Sequence, residues 1–436
     1  MLNETASSRD NRPGVRATEP EIRPDEILRD QIQQMVAAVL AIQDMTFADE
    51  EADRLPPALR AFGSSPTARF EGRLRLDSES AYQRLDTDFK TINHTPIFRE
   101  EHGRHVVLAL PGRIEPKPRA WWPNLILFVL TLFSVLLVGT SLAVGEIVRV
   151  DPALAREISN NELANLWRGL PYALGILLIL GSHELGHYFA ARRHGLAVTL
   201  PYFIPLPFFS PFGTLGAFIQ LRQPMRNRKV LLDVGAAGPL TGLIFAVPLL
   251  FIGLAGARLA PITPGGLYEG DSLLYAFAKI VMFGEFYPNG VLDVVINSNQ
   301  LAWAGWTGLL VSALNLIPIG QLDGGHIAYS LLGERARLLY YPLIFVMVGL
   351  VFVTSVWLLW VFLLVIFGRM YATPLDMITP LDRPRRLVAI ASMVIFVLIF
   401  VPTPLTPNRT PRNPLLPRSS AQAEPANIIS LLTNGQ

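Results

Sequence analysis

Cysteine is absent from all 436 residues of this chain. That single absence excludes disulfides, thiolate metal sites and cysteine nucleophiles together, so any metal must be held by His, Asp or Glu. Charge is also scarce, at 17% of residues against roughly 25% in ordinary soluble domains. The formal charge is only +2, and the basic residues fall in loops rather than along one face, which argues against a nucleic-acid partner. Internal repeats are missing, and ionisable residues are not spread along the apolar segments, as a transporter or channel would require. No signal peptide is visible, since the first apolar run long enough to span begins at Trp121. What the chain has in excess is apolar surface: 51% of its residues are hydrophobic and its mean hydropathy is positive. This balance predicts a membrane protein.

Along the chain, residues 1–25 are polar and aperiodic and read as a disordered tail, and residues 402–436 read as a Pro-rich one. Residues 26–120 read as a small soluble α+β domain. Within it, 69–76, 95–99 and 105–110 have strand composition and 79–89 helical composition, a βαββ-like unit whose His94, His102 and His105 read as surface residues near a turn. Residues 121–401 read as the transmembrane part. About 20 apolar residues cross a bilayer, which marks 121–144, 170–191, 230–254, 301–319 and 387–401, with a longer uncharged run at 338–367. The predicted fold class is a polytopic α-helical membrane protein of about six or seven transmembrane helices, with a small α+β cytoplasmic N-terminal domain. Clusters such as Arg192-Arg193 and Arg226 to Lys229 set that orientation by the positive-inside rule. Between them, the apolar stretch 197–221 contains Pro201, Pro205, Pro207 and Pro211, which exclude a continuous helix. Both flanks are basic, so it reads as a re-entrant loop whose end, 214–221, is an extended strand.

The second span contains His183-Glu184-Leu185-Gly186-His187. Histidines at i and i+4 share one helix face and can reach one zinc ion. In this pattern the glutamate is not a ligand but takes the proton from zinc-bound water. Each ionisable residue at membrane depth costs about 2.5–3.5 kcal/mol on insertion scales, so three within one turn need a functional reason. A third ligand is required, and the end of the fourth span offers Asp323, followed by Gly324 and Gly325 that would let the backbone approach the metal; His326 is the alternative ligand. Counting at 1.5 Å per residue puts the site inside the membrane, nearer the basic, cytoplasmic edge.

These residues resemble the site-2 protease family of intramembrane zinc metalloproteases. The likeness rests on His183-Glu184-Leu185-Gly186-His187, Gly238-Pro239-Leu240-Thr241-Gly242 and the run from Asn315 through Pro318 to Leu322-Asp323-Gly324-Gly325. The resemblance implies Zn2+ held by His183, His187 and Asp323, with Glu184 as catalytic base and acid and Asn315 lining the site beside the scissile carbonyl. It also implies regulated intramembrane proteolysis, with transmembrane proteins of the lipid bilayer as substrates. Segment 98–108 is similar to the chloroplast and cyanobacterial-type branch. The loop 258–300 is too short for the PDZ domain that many bacterial members carry. A membrane transporter or a catalytically inactive scaffold is the alternative. The expected location is a bacterial cell membrane, with an organelle membrane such as the chloroplast's as the other possibility. An unwound substrate segment needs new partners for its amides, and the extended stretch 214–221 could supply them edge to edge.

The run 338–367 is long enough for one tilted crossing, but Arg335 and Arg337 precede it and Arg369, Arg383, Arg385 and Arg386 follow it. One crossing would strand the second basic cluster outside, so two short passes turning near Thr354-Ser355 are expected. Thr373→Cys, the only thiol in the chain, should then react with an impermeant maleimide from the cytoplasmic face and not from the other; labelling from the far face would establish a single crossing.

Overall fold

The computed structural model describes residues 24–47, 66–117, 119–262, 268–297 and 299–406. The two tails expected to be disordered lie outside these, apart from residues 24–25 and 402–406. The described residues form two compact units, one running to Ile114 and including Leu375–Thr379, the other made of the rest.

The first unit contains helix α1 (Pro24–Ala37), strands β1 (Leu40–Phe47) and β2 (Ala68–Leu74), helix α2 (Ser78–Thr91), and strands β3 (His94–Glu101) and β4 (Arg104–Pro111). The strands make one antiparallel sheet in the order β1-β2-β4-β3. Asp77 starts α2 by accepting from the Ser80 amide at 3.0 Å. The β3–β4 turn is His102-Gly103, both at positive φ (51° and 75°), as tight hairpins demand. Ile32, Val36, Phe70, Tyr82, Leu85, Phe89 and Phe98 close the core between the helices and the sheet, with Tyr82 and Phe98 edge to face at 5.3 Å. The chain returns to this unit at Leu375, whose carbonyl accepts from the Phe98 amide at 2.9 Å, while Phe98 accepts from Met377 at 3.1 Å.

All four elements read from the βαββ pattern are present. Helix α1 and strand β1 were not anticipated; the β1 sequence LAIQDMTF lacks an alternating pattern, and only its first residue is buried. The surface reading of the histidines fails at His94, which is buried, its ring held by Thr67 Oγ1 at 2.9 Å and the Ile92 carbonyl at 2.7 Å. His102 is exposed, and His105 accepts from the Leu74 amide through Nδ1 at 3.0 Å.

The second unit runs α3 (Trp122–Ile147), α4 (Pro152–Asn160), a 3-10 turn (Glu162–Gly169), α5 (Leu170–Arg193), β5 (Tyr202–Pro205), β6 (Thr214–Phe218) and α6 (Arg228–Ala255). A small cap follows: β7 (Arg258–Pro261), β8 (Tyr268–Glu269), α7 (Leu273–Phe283) and β9 (Leu292–Val295). The chain continues with α8 (Gln300–Asn315), α9 (Asp323–Leu332), α10 (Tyr340–Val351), α11 (Trp357–Phe367), α12 (Arg383–Ile399) and β10 (Leu405–Thr406). Among the described residues, three helical segments are long and apolar enough to cross a membrane: Trp122–Ile147, Glu162–Arg193 and Arg228–Ala255.

Two local departures from the sequence reading, at the end of α8 and in the re-entrant stretch, have physical causes. Helix α8 stops at Asn315 rather than 319, because Pro318 disfavours helical backbone at the residue before it. The run 338–367 is two helices, α10 and α11, broken around Thr354 and Ser355, whose carbonyls accept from Trp357 and Leu358. The re-entrant stretch is a hairpin, because β6 pairs antiparallel with β5, a strand its prolines had concealed. Asn124 donates to the carbonyls of Leu200 and Pro201 at 2.8 and 3.0 Å, Ser134 donates to Gly213, and Tyr172 donates to Phe212 at 2.9 Å. Asn124 and Ser134 are about 15 Å apart along α3, so the hairpin lies lengthwise against it.

The first unit's core depends on the Phe98 ring. Phe98→Ala should cost that unit about 3–5 kcal/mol, read as a lower urea midpoint for its cleavage by a soluble protease; an unchanged midpoint would mean that the ring does not carry the core.

Candidate metal centre

Helix α5 carries both histidines of the motif into the apolar core, where His183, Glu184 and His187 are 4, 4 and 6% exposed. The four-residue spacing brings their rings to 4.9 Å between centroids and their Nε2 atoms to 3.1 Å. Asp323, the first residue of α9, reaches the same point from another helix. Its Oδ2 lies 3.3 Å from His183 Nε2 and its Oδ1 3.3 Å from His187 Nε2. Among the described residues these three side chains, and no other group, offer ligand atoms within 4.8 Å of one another.

The donor chemistry of this cluster fits a cation. Nδ1 of His187 is 2.7 Å from the Val234 carbonyl, so it carries the proton and leaves Nε2 with a bare lone pair. That lone pair faces His183 Nε2 and a carboxylate oxygen. Three converging lone pairs repel unless a positive charge stands between them, and two imidazoles with one carboxylate make a three-ligand set that leaves one position open.

The polar neighbours surround the same point. Glu184 Oε1 lies 3.9 Å from His183 Nε2, close to the cluster but outside it. Asn315, at the end of α8, places Nδ2 3.4 Å from His183 Nε2. The backbone amide of Ile219, just beyond β6, lies near the Glu184 carboxylate. His326 is not part of the ligand cluster; its Cβ packs on Gly235, where an added methyl would lie only 2.9 Å away.

The reason given for Gly324 and Gly325 changes. A Cβ on Gly324 would sit 2.0 Å from the Leu316 carbonyl and one on Gly325 2.3 Å from the Gly320 carbonyl. These glycines let α9 begin tight against the 316–320 turn, and in doing so aim Asp323, rather than letting backbone approach the metal.

Sequence reading missed the surface behind the histidines. Gly235, Gly238 and Gly242 form a smooth stripe on α6: a Cβ on Gly238 would lie 2.0 Å from His187 Nε2, and one on Gly242 3.3 Å from His183 Cβ. Their spacing of three and four residues is the signal that could have revealed it. The Val234 carbonyl carried no such signal, because every residue has one.

Residues 171–356 match the family model described as peptidase family M50. The chain is 30% identical over 280 residues to the protein named probable zinc metalloprotease EGY2, chloroplastic, of Arabidopsis thaliana, covering 61% of this chain and 47% of that one. It is 31% identical over 239 residues to probable zinc metalloprotease EGY1, chloroplastic, of Oryza sativa subsp. japonica, covering 51% and 40%. A third relative, probable zinc metallopeptidase EGY3, chloroplastic, of Arabidopsis thaliana, is 30% identical over 183 residues, covering 38% and 30%. The chain thus spans about half or less of the length of these curated relatives. No solved structure matches it. Residues 171–356, which include the motif helix and Asp323, are thus similar to peptidase family M50, and the chain is similar to chloroplastic EGY proteins.

Proposed function

We propose that this chain is an intramembrane zinc metalloprotease that hydrolyses peptide bonds in or near the transmembrane segments of other membrane proteins. The observation that carries the reading is the convergence of His183, His187 and Asp323 on one point beside Glu184, on an apolar helix long enough to cross a bilayer. Neither a transporter nor an inactive scaffold accounts for it. Bound there, zinc supplies Lewis acidity to the reacting centre. Glu184 accepts a proton from the attacking water as its oxygen bonds to the scissile carbonyl carbon, and returns it to the nitrogen as the C–N bond breaks. Asn315 Nδ2 donates to the oxygen that gains negative charge.

By the same reading, α3, α5, α6, α8 and α12 each cross once and α10–α11 cross twice as a hairpin returning to one face, seven crossings in all. The N-terminal unit is cytoplasmic, or on the equivalent side in an organelle. A bacterial cell membrane or an organelle membrane such as the chloroplast's is the expected home, the latter supported by the names of the relatives.

Substrate binding falls to the hairpin. The Gln220 carbonyl accepts from Thr199 within it at 3.1 Å, while the Ile219 amide, one residue earlier and so on the opposite edge, lies near Glu184. Strand alternation puts the Ala217 amide on that same edge. An opened substrate segment would pair there, its carbonyls presented to Glu184.

Glu184→Gln should abolish proteolysis and keep a full equivalent of zinc by elemental analysis. His183→Ala, His187→Ala and Asp323→Ala should lose both, and Gly238→Ala, whose methyl enters the space of the His187 ring, should lose most of its zinc. Full zinc occupancy in Asp323→Ala would remove it from the ligand set. Separately, Ala217→Pro should depress cleavage of a single-span reporter at least tenfold with zinc content unchanged; wild-type turnover would end the pairing proposal and leave the zinc site intact.

A further inference from the structure

Asp233, in the second turn of α6, is gripped by side chains from two other elements. Arg385 of α12 donates to it twice, Nε to Oδ1 at 2.8 Å and Nη2 to Oδ2 at 2.7 Å. His194, the C-cap of α5, brings Nε2 to 2.9 Å from Oδ2. A two-pronged guanidinium–carboxylate pair fixes orientation as well as distance. Arg385 is itself held: Asp382, the N-cap of α12, accepts from its amide at 2.9 Å and also from its guanidinium.

The grip bears on the metal centre through the next residue. Val234 supplies the carbonyl that accepts from His187 Nδ1, and the following turn carries the glycines on which the His326 and His187 side chains rest. At the start of the same helix, Arg228 donates to the carbonyls of Ser330 and Leu331 at 2.8 and 3.1 Å, the end of the helix that opens with Asp323. The helix ends that flank the ligands are therefore registered against the first turns of α6. Arg383 and Arg386 flank Arg385 closely in sequence, and Lys229 lies one helical turn before Asp233.

We propose that Arg385 is a positioning residue for the metal centre, clamping Asp233 so that the adjacent Val234 carbonyl holds the His187 ring with Nε2 aimed at the metal. The inference rests on the zinc reading above. Arg385 lies beyond residue 356, where the match to the family model ends, so a helix outside that match completes the support of a site whose ligands all precede it. Outer-sphere partners of metal-bound histidines change affinity by about 10–100-fold when removed, and a clamp one residue further out belongs at the lower end of that range.

The test uses the purified full chain in detergent, with zinc affinity measured by chelator competition and the visible spectrum of the cobalt(II)-substituted protein as a reading of ligand geometry. Arg385→Gln and the near-isosteric Asp233→Asn should each weaken zinc about tenfold and shift the cobalt bands. Arg385→Lys, which keeps the charge but loses the fork, should recover only part of the affinity. Arg386→Ala, an exposed neighbour on the same helix turn, should match wild type in both readouts, separating the clamp from general loss of positive charge. Wild-type zinc affinity and cobalt spectrum in both Arg385→Gln and Asp233→Asn would overturn the proposal. A wild-type chain that takes up no zinc would overturn the metal-centre reading itself, a different and separately visible result.

Discussion

Three lone pairs aimed at one point inside an apolar bundle is the arrangement on which the rest of the membrane unit depends. His183, His187 and Asp323 converge on that point; left without a cation, their mutual repulsion would open the site or recruit protons to it. The surrounding structure holds that convergence. The Val234 carbonyl fixes which nitrogen of His187 is bare, the glycines of α6 let the rings lie flat on a neighbouring helix, and the tight turn enforced around Pro318 ends α8 so that α9 can start with its carboxylate facing back toward α5. Asp323 is the first residue of α9, and its oxygens face the histidines.

The same accounting explains the irregular hairpin beside the site. Non-helical backbone at membrane depth is tolerated only where protein satisfies its polar groups. Here the β5–β6 pairing satisfies part of it, and Asn124, Ser134 and Tyr172 satisfy carbonyls at its two ends. One edge of β6 is spent on this internal pairing, and the proposed substrate strand would take the other. Under the proposed proteolysis the site must solve two problems at once, activating water and stabilising an unwound peptide, and the hairpin next to Glu184 is suited to the second.

The cap between α6 and α8 is built on a different balance. Glu269 is buried, accepts from the Tyr275 hydroxyl at 2.9 Å, and burial holds its carboxyl up at about 7. Such a group favours its protonated form in the folded cap, so its contribution to stability is present at low pH and fades as the pH rises through neutrality. Lys279, also buried, lies 2.5 Å from Asp271 and 4.6 Å from the centre of the Tyr275 ring.

Much of this was legible in the sequence, because its strongest signals are local. The i and i+4 histidines share a helix face whatever surrounds them, apolar length marks spans, and proline clusters forbid helices; from these came the motif helix, the re-entrant segment and Asp323, the last helped by resemblance to a known family. The strand β5, the buried state of His94, the true packing role of Gly324 and Gly325, and the Arg385–Asp233–Val234 chain of contacts were not legible. Each depends on which distant segment lies alongside, and a backbone carbonyl or a glycine surface carries no chemical label in a sequence. Covalent spacing along one helix determined the side chains available to the candidate site; which lone pair points into the His183–His187–Asp323 cluster, and what holds it there, was decided only when the helices packed, because orientation is a property of contacts and not of composition.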